Sequence, residues 1–387
     1  MTDTTSLEWS PVAILPNIEI EGELGNRYGS ISSVSHPNIA PLLDGFPELK
    51  EFTGRFSDSF GERVRPSFVL FNQAVKERHQ NSQAFLAFRN SIAVPLATYG
   101  RCLMLKNGSP HTHPMWTDSF DCYPWMLGKD LKNLVISSGA LKGFHEVKKF
   151  NGQSSPQLPH RFLSNAGGID LLSDRLLEIW SNTFVKKQQI KTHVPIFRSL
   201  EMAYEAGRVP FQYAQTDTDH GRLIALWISA FEILAHPGKG NVALKDVLRL
   251  LDGYEPAQPK RIRSKKYSVK LRNTRKSVDL LEKTYRHLYG LRNDYLHGNP
   301  RSFASLVPRG FSINLLHAAP ALYRICLFSK LAIKPPRIVS VDDTNEFAAA
   351  IFASSQFNQC RSIAENAVLA ARYGNLLTNE HRKSGER

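Results

Sequence analysis

Along DHGRLIALWISAFEILAHPG, residues 219–238, apolar side chains fall at Leu223, Leu226, Trp227, Ala230, Phe231 and Leu234. That i, i+3, i+4, i+7 recurrence is one face of a helix, with Asp219 or Thr218 as its cap and Pro237-Gly238 as its stop. The same period runs through IDLLSDRLLEIWSNTF from Ile169, which puts Leu172, Leu176, Ile179 and Trp180 on one face. It continues in VPIFRSLEMAYEAG, ending at Gly207, and in NVALKDVLRLLDG, ending at Gly253. A long helix is predicted over RKSVDLLEKTYRHLYGLRNDYLHG, another over FSINLLHAAPALYRICLFSKLAI with a start or kink at Pro320, and one more over NEFAAAIFASSQFNQCRSIAENAVLAARYG. The tail NEHRKSGER reads as disordered.

Upstream the pattern differs. Residues 1–70 mix short apolar runs (VAIL, IEIEGEL, SFVLF) with Gly, Pro, Ser and Asn, the signature of strands and loops. A helical stretch follows from about Asn72 to Leu105, and residues 106–160 return to irregular patterning. FNGQSSPQLP, residues 150–159, has the composition of a connector. The expected fold is therefore mainly α: a mixed α/β N-terminal domain over 1–155, a helical bundle over 156–335, and a helical extension with its tail over 336–387.

Composition narrows the class. Hydrophobic content of 42% and 10% aromatics suit a globular chain with a real core. Lys and Arg exceed Asp and Glu by 49 to 35, a formal charge of +14, which attracts polyanions. Nucleic acid is the commonest such partner, and an anionic membrane surface comes second. MTDTTSLEWSPVAILP lacks the basic and apolar regions of a signal peptide, and no run of about 18 apolar residues occurs. Cys102, Cys122, Cys326 and Cys360 are scattered without a CxxC pair. A cytoplasmic location with no membrane association is the expectation.

The chemistry concentrates in LYGLRNDYLHGNP, residues 288–300. Val278, Leu281, Tyr285, Leu288 and Tyr295 step by three and four, and the residue that fills the gap is Arg292. A guanidinium on an apolar seam needs an acidic neighbour, a bound anion or a wet cleft. Asn293 and His297, at i and i+4, share a face, and Arg292 lies about 140° around from His297. Gly298 is a natural C′ residue with Pro300 beyond it. His297 thus falls where helix carbonyls favour a cation, and imidazole is the side chain that exchanges protons near neutral pH. The bland alternative is that His297 caps carbonyls and Arg292 pairs with Glu232.

R-N-D-Y-L-H, residues 292–297, resembles the R-x4–6-H motif of HEPN-domain proteins, including the frequent polar residue after the arginine. The helix LIALWISAFEIL, 223–234, followed by a loop and the motif helix, resembles the Apea-like HEPN branch. The resemblance covers roughly residues 160–335. It implies a HEPN-like bundle of four or more helices, often dimeric, and metal-independent RNA cleavage at a composite cleft. Many such proteins serve in toxin–antitoxin or anti-phage systems, so an antitoxin or defence-system partner is implied, and some members only bind. Matched residue by residue, Arg292 and His297 fall on the catalytic pair and Asn293 on the assisting polar position.

The chemistry is coherent on general grounds. RNA carries its own nucleophile, the 2′-OH, so the protein has to move protons and stabilise extra negative charge on phosphorus. A placed histidine contributes roughly 10²–10⁴-fold as acid or base. An arginine fork holds phosphate oxygens bidentately. No cofactor or metal is called for.

KRIRSKKYSVKLRNTRK, residues 260–276, carries nine Lys or Arg and no acid. As a solvated loop it has no partner; leading into the motif helix, it suits a phosphate-backbone track with Lys265, Lys266, Lys270 and Arg272 as substrate-binding groups. HTHPMWTDSFDC, 111–122, brings together His111, His113, Asp118, Asp121 and Cys122 in a spacing that matches no recognised zinc site. Glu232, mid-helix among apolar residues, is better placed to pair with Arg292 than to catalyse. The stripe Leu281, Tyr285, Leu288, Tyr295 is a surface that could face a two-fold mate in a homodimer. The sequence thus points to a metal-independent endoribonuclease, a toxin or anti-phage effector acting on RNA. A non-catalytic HEPN-type RNA-binding or dimerisation subunit is the alternative, and a protein whose basic loop binds an acidic partner protein is a third.

Overall fold

The structure is a computed structural model that describes residues 9–20, 22–58, 60–75, 82–107, 116–122, 125–136, 144–147, 171–188, 190–208, 216–271, 274–299, 302–334 and 344–374. The chain forms two compact units, residues 1–96 with 117–193 and residues 97–116 with 194–387. The described chain is mainly helical.

In the first unit, β1 (Trp9–Leu15), β2 (Glu23–Asn26), β3 (Gly29–Ser32) and β4 (Ser67–Asn72) make an antiparallel sheet ordered β1-β4-β3-β2. The run SFVLFN is buried at every position, which is why its apolar residues are continuous and do not alternate. Two short helices, α1 (Ala40–Gly45) and α2 (Pro47–Thr53), each begin on a proline near the first turn, where the missing N–H costs nothing. The long helix α3 (Ser82–Asn107) follows, of which the part up to Leu96 belongs to this unit, and a three-stranded sheet, β5 (Trp125–Leu127), β6 (Asn133–Ile136) and β7 (Phe144–Glu146), adds Leu127 and Leu134 to a core with Leu49, Phe52 and Phe68. Helix α4 (Leu171–Trp180) continues as a π turn, Ser181–Val185. Its Trp180 packs 5.4 Å from the Phe71 ring and 5.0 Å from the Phe88 ring, and the indole N–H donates to the Ala84 carbonyl at 2.8 Å.

The second unit holds α5 (Ile190–Ala206), α6 (Asp217–Leu234), α7 (Leu244–Asp252), the helical turn α8 (Pro259–Ile262), the hairpin β8 (Tyr267–Leu271) and β9 (Thr274–Val278), α9 (Leu280–Leu296), α10 (Ala319–Lys330) and α11 (Thr344–Tyr373). Helix α6 packs on α9 and α10, and α10 packs on α7 and α11. The predicted α6 face is buried at Leu223, Trp227, Ala230, Phe231 and Leu234. Phe231 meets Tyr285 edge-on at 5.2 Å and Tyr323 at 5.5 Å, so the stripes of three helices close on one aromatic cluster. The buried Glu365 carboxylate of α11 accepts from the Tyr254 hydroxyl at 2.8 Å and from the Ala257 and Gln258 N–H groups at 2.6 and 2.9 Å, fixing the loop that leads into α8.

Three expectations are corrected. The helix cap at α6 is Thr216, whose side chain accepts from the Asp219 N–H while the Asp219 carboxylate accepts from the Thr216 N–H, a reciprocal pair that sets the cap two residues before Thr218 and three before Asp219. The long helix starts at Leu280 and not near Arg275, because Thr274–Val278 pairs with Tyr267–Leu271 and Asp279 then caps by accepting from the Glu282 N–H at 2.9 Å. Leu281, Tyr285 and Leu288 are fully covered by the chain itself and are core, not a face for a two-fold mate; Tyr295, the fourth residue of that stripe, is half-buried with its ring against Gly221. The connector at 150–159, the tail NEHRKSGER, and His111 and His113 lie outside the described residues. No helix among the described residues is long and apolar enough to cross a membrane.

Candidate functional site at the end of helix α9

Helix α9 buries Leu281, Thr284, Tyr285, Leu288 and Leu291, and that seam carries Arg292 to the boundary between core and solvent. There its Nη2 lies 3.6 Å from Glu232 Oε2 of α6, and its Nη1 donates to Asn293 Oδ1 at 3.0 Å. Both partners of the ion pair are about one-quarter exposed. The guanidinium carbon is 5.8 Å from the Tyr289 ring, one turn back, and the buried Nε–H has no acceptor among the described residues. Burial pushes the Glu232 carboxyl above its ordinary value, against the pull of Arg292. The Tyr285 hydroxyl, buried without a hydrogen-bond partner, is driven well above the usual phenol range by burial and then by the Glu232 charge.

The helix ends in a fully formed left-handed cap. Gly298 has φ +67°, its N–H donates to the Tyr295 carbonyl at 3.2 Å, and the Asn299 N–H donates to the Asp294 carbonyl at 2.9 Å. These are the two bonds of a Schellman motif, and the positive φ is the reason for glycine there. The Asn299 side chain also donates to Asp294 Oδ1 at 3.0 Å. His297 is the C-cap residue itself; its N–H donates to the Asn293 carbonyl at 3.0 Å. Its side chain is exposed and makes no hydrogen bond or ion pair among the described residues. Beside this end lies a groove of about 210 Å³ lined by Gly221, Ile224, Leu291, Tyr295 and Asn299. The Tyr295 ring presses on Gly221 of α6: an added Cβ there would sit 2.1 Å from the ring.

The structure therefore brings Arg292 and Asn293 together with Glu232, and presents His297 one turn on. No hydrogen bond joins Arg292 to His297. Chemically the cluster offers a fixed cation with one idle N–H, an amide that orients it, and a solvent-facing imidazole on a rigid helix end. Sequence reasoning found Glu232 as the partner of Arg292 but missed Tyr285 as an unsatisfied hydroxyl. Its place in the apolar stripe gave the signal of core and nothing more.

The basic segment 260–276 is not a loop. It runs through α8 and the β8–β9 hairpin. Arg263 pairs with Asp279 and donates to the Leu251 and Tyr254 carbonyls at 2.8 Å each, so it closes the end of α7. Lys276 pairs with Glu282 at 3.1 Å. Two of the segment's nine cations thus find acids in the next few residues. Lys266 is exposed, and Lys265 turns toward Tyr267 and Tyr373. Lys270 lies on β8, with its side chain outside the described residues, as is Arg272. Lys265 belongs to a cluster with Lys283 of α9. Lys283 precedes Arg292 by nine residues, half a turn out of phase and about 14 Å along the axis, so the structure does not gather Lys265 with Arg292. Among the described residues no group of three His, Cys, Asp or Glu could hold a metal ion. Asp118 lies on the 3₁₀ turn Thr117–Phe120, with Asp121 and Cys122 just beyond, and burial pushes the Cys122 thiol up to about 11. No protein-family model matches the chain, and neither a curated protein nor a solved structure is detectably similar to it.

Proposed function

We propose that this chain is a metal-independent endoribonuclease of HEPN type, acting as a toxin or anti-phage effector at the end of α9. The observation that carries the reading is the unengaged, exposed His297 side chain held on a rigid cap one turn from Arg292 and Asn293. In this reading Arg292 holds the phosphate oxygens at the cut bond, Asn293 keeps the guanidinium in place, and His297 moves the proton. The 2′-OH attacks phosphorus, the bond to the 5′ oxygen breaks, and products end in 2′,3′-cyclic phosphate and 5′-OH. One chain carries one such set, so a homodimer supplies the second proton-transfer group. The formal charge of +14 suits RNA as partner.

The second reading is a non-catalytic RNA-binding or dimerisation subunit in the same fold class. It is favoured by the engagement of Arg292 with Glu232 and by the absence of any bond from Arg292 to His297. Incubating purified protein with total RNA, with and without EDTA, and mapping the ends separates the two. The ribonuclease reading expects cyclic-phosphate ends in both conditions. Intact RNA that is bound but never cut supports the second reading.

A further inference from the structure

Three cations converge on one buried phenol ring in the second unit. Lys283 Nζ lies 4.5 Å from the Tyr267 ring centroid, the Arg372 guanidinium 5.5 Å and Lys265 Nζ 5.9 Å. Tyr373 completes the group: its hydroxyl is hydrogen-bonded to that of Tyr267, and its ring lies 5.0 Å from Lys265 and 5.2 Å from Arg372. Among the described residues no carboxylate pairs with any of the three. The nearest acids of α9 are committed elsewhere, Asp279 to Arg263 and Glu282 to Lys276 and Arg286.

Like charges gathered around one ring repel, and cation–π contacts offset that only in part. Lys283 records this: burial first, and then the field of Arg372, hold its amine below the ordinary lysine value, with Tyr373 pulling the other way and Lys265 adding the smallest push. The arrangement is fixed from several directions. Lys283 stands on α9, Lys265 precedes β8, and Arg372 ends α11 against Gly310, where a Cβ would come within 2.8 Å of the guanidinium nitrogens. The Arg372 Nε–H is buried with no acceptor among the described residues. Among the described residues the cluster is thus held in place with no carboxylate paired to it.

We propose that Lys265, Lys283 and Arg372, with the Tyr267 and Tyr373 hydroxyls, form a phosphate-binding site on the face of α9 opposite Arg292. A guanidinium fork and two ammonium groups match the tetrahedral oxygens of a phosphate group, and their uncompensated charge favours a dianion. The site stands independently of the ribonuclease reading, because its measurement is of binding and not of cleavage.

Thermal unfolding is followed with inorganic phosphate and with chloride at matched ionic strength. A ligand that binds only the folded state raises Tm with concentration, so phosphate is expected to raise it saturably beyond chloride. Lys283→Gln should weaken the phosphate effect roughly tenfold, as for loss of a charge-assisted bond of about 1.4 kcal/mol. Lys283→Gln combined with Arg372→Gln should abolish it, whereas Lys266→Gln should leave it intact. The phosphate-free Tm of Lys283→Gln should equal or exceed that of wild type, since a repelling charge is gone. A short oligoribonucleotide that displaces phosphate identifies RNA as the source of the phosphate, and one that does not identifies a small phosphorylated molecule. A phosphate effect no larger than that of chloride, or one that survives the double substitution, would overturn the proposal.

Discussion

Arg292 donates to Asn293 and faces Glu232 across 3.6 Å in a site about one-quarter exposed, so its removal has a structural cost separate from any chemistry. Exposed pairs are worth less than about 1 kcal/mol and breaking buried ones costs about 3–5, so Arg292→Ala should destabilise by about 1–2 kcal/mol in urea melts. The pH dependence carries the signature. Glu232 is raised in the folded state, so the folded protein binds more protons than the unfolded one within the shifted range. Its contribution to stability therefore falls as pH rises from the ordinary carboxylate range through the raised folded value. Arg292→Ala removes the opposing pull and should steepen that fall, and Glu232→Gln should remove it. Parallel pH profiles for wild type and both variants would show that the pair is not coupled. His297→Ala, by contrast, deletes an exposed ring with no bonds and should change stability by less than about 0.5 kcal/mol.

At the scale of elements, the contact of α9 with α6 depends on Gly221. Gly221→Ala would place a Cβ inside the Tyr295 ring, so it should cost about 1–3 kcal/mol, and Tyr295→Ala in the same chain should return part of that loss. Denaturant melts of the two single variants and the double variant measure the coupling; additive losses would mean the ring does not rest on Gly221. The helices were legible because their apolar residues recur at the helical period, as at Leu223, Trp227 and Phe231, and because stops such as Gly298 mark their ends; the caps Thr216 and Asp279 were not read. The hairpin at Tyr267–Val278 was not, since strings of lysine and arginine hide a two-residue period and read as solvent-facing loop. The motif residues could be found because they are neighbours in sequence. The partners Lys283 and Arg372 could not, because 89 positions part them and only the fold brings α11 back to α9. The amphipathic pattern of Leu171–Trp180 was plain, but a stripe carries no address, and nothing in it says that Trp180 packs on Phe71.

For the whole molecule, the proposed cleavage needs two proton-transfer groups, and one chain presents one His297. Light scattering should give a dimer at micromolar concentration, formed through a surface other than the buried stripe Leu281, Tyr285, Leu288. Mixing Arg292→Ala chains with His297→Ala chains should restore part of the activity if each cleft draws on both copies. A monomer with full activity would remove the shared-cleft idea. The most direct measurement is cleavage of total RNA by wild type against folded His297→Ala, with product ends identified. Cyclic-phosphate ends are expected from the wild type, unaffected by EDTA, with a rate lower by about 10²–10⁴-fold in the variant. Cleavage by His297→Ala at the wild-type rate would contradict it.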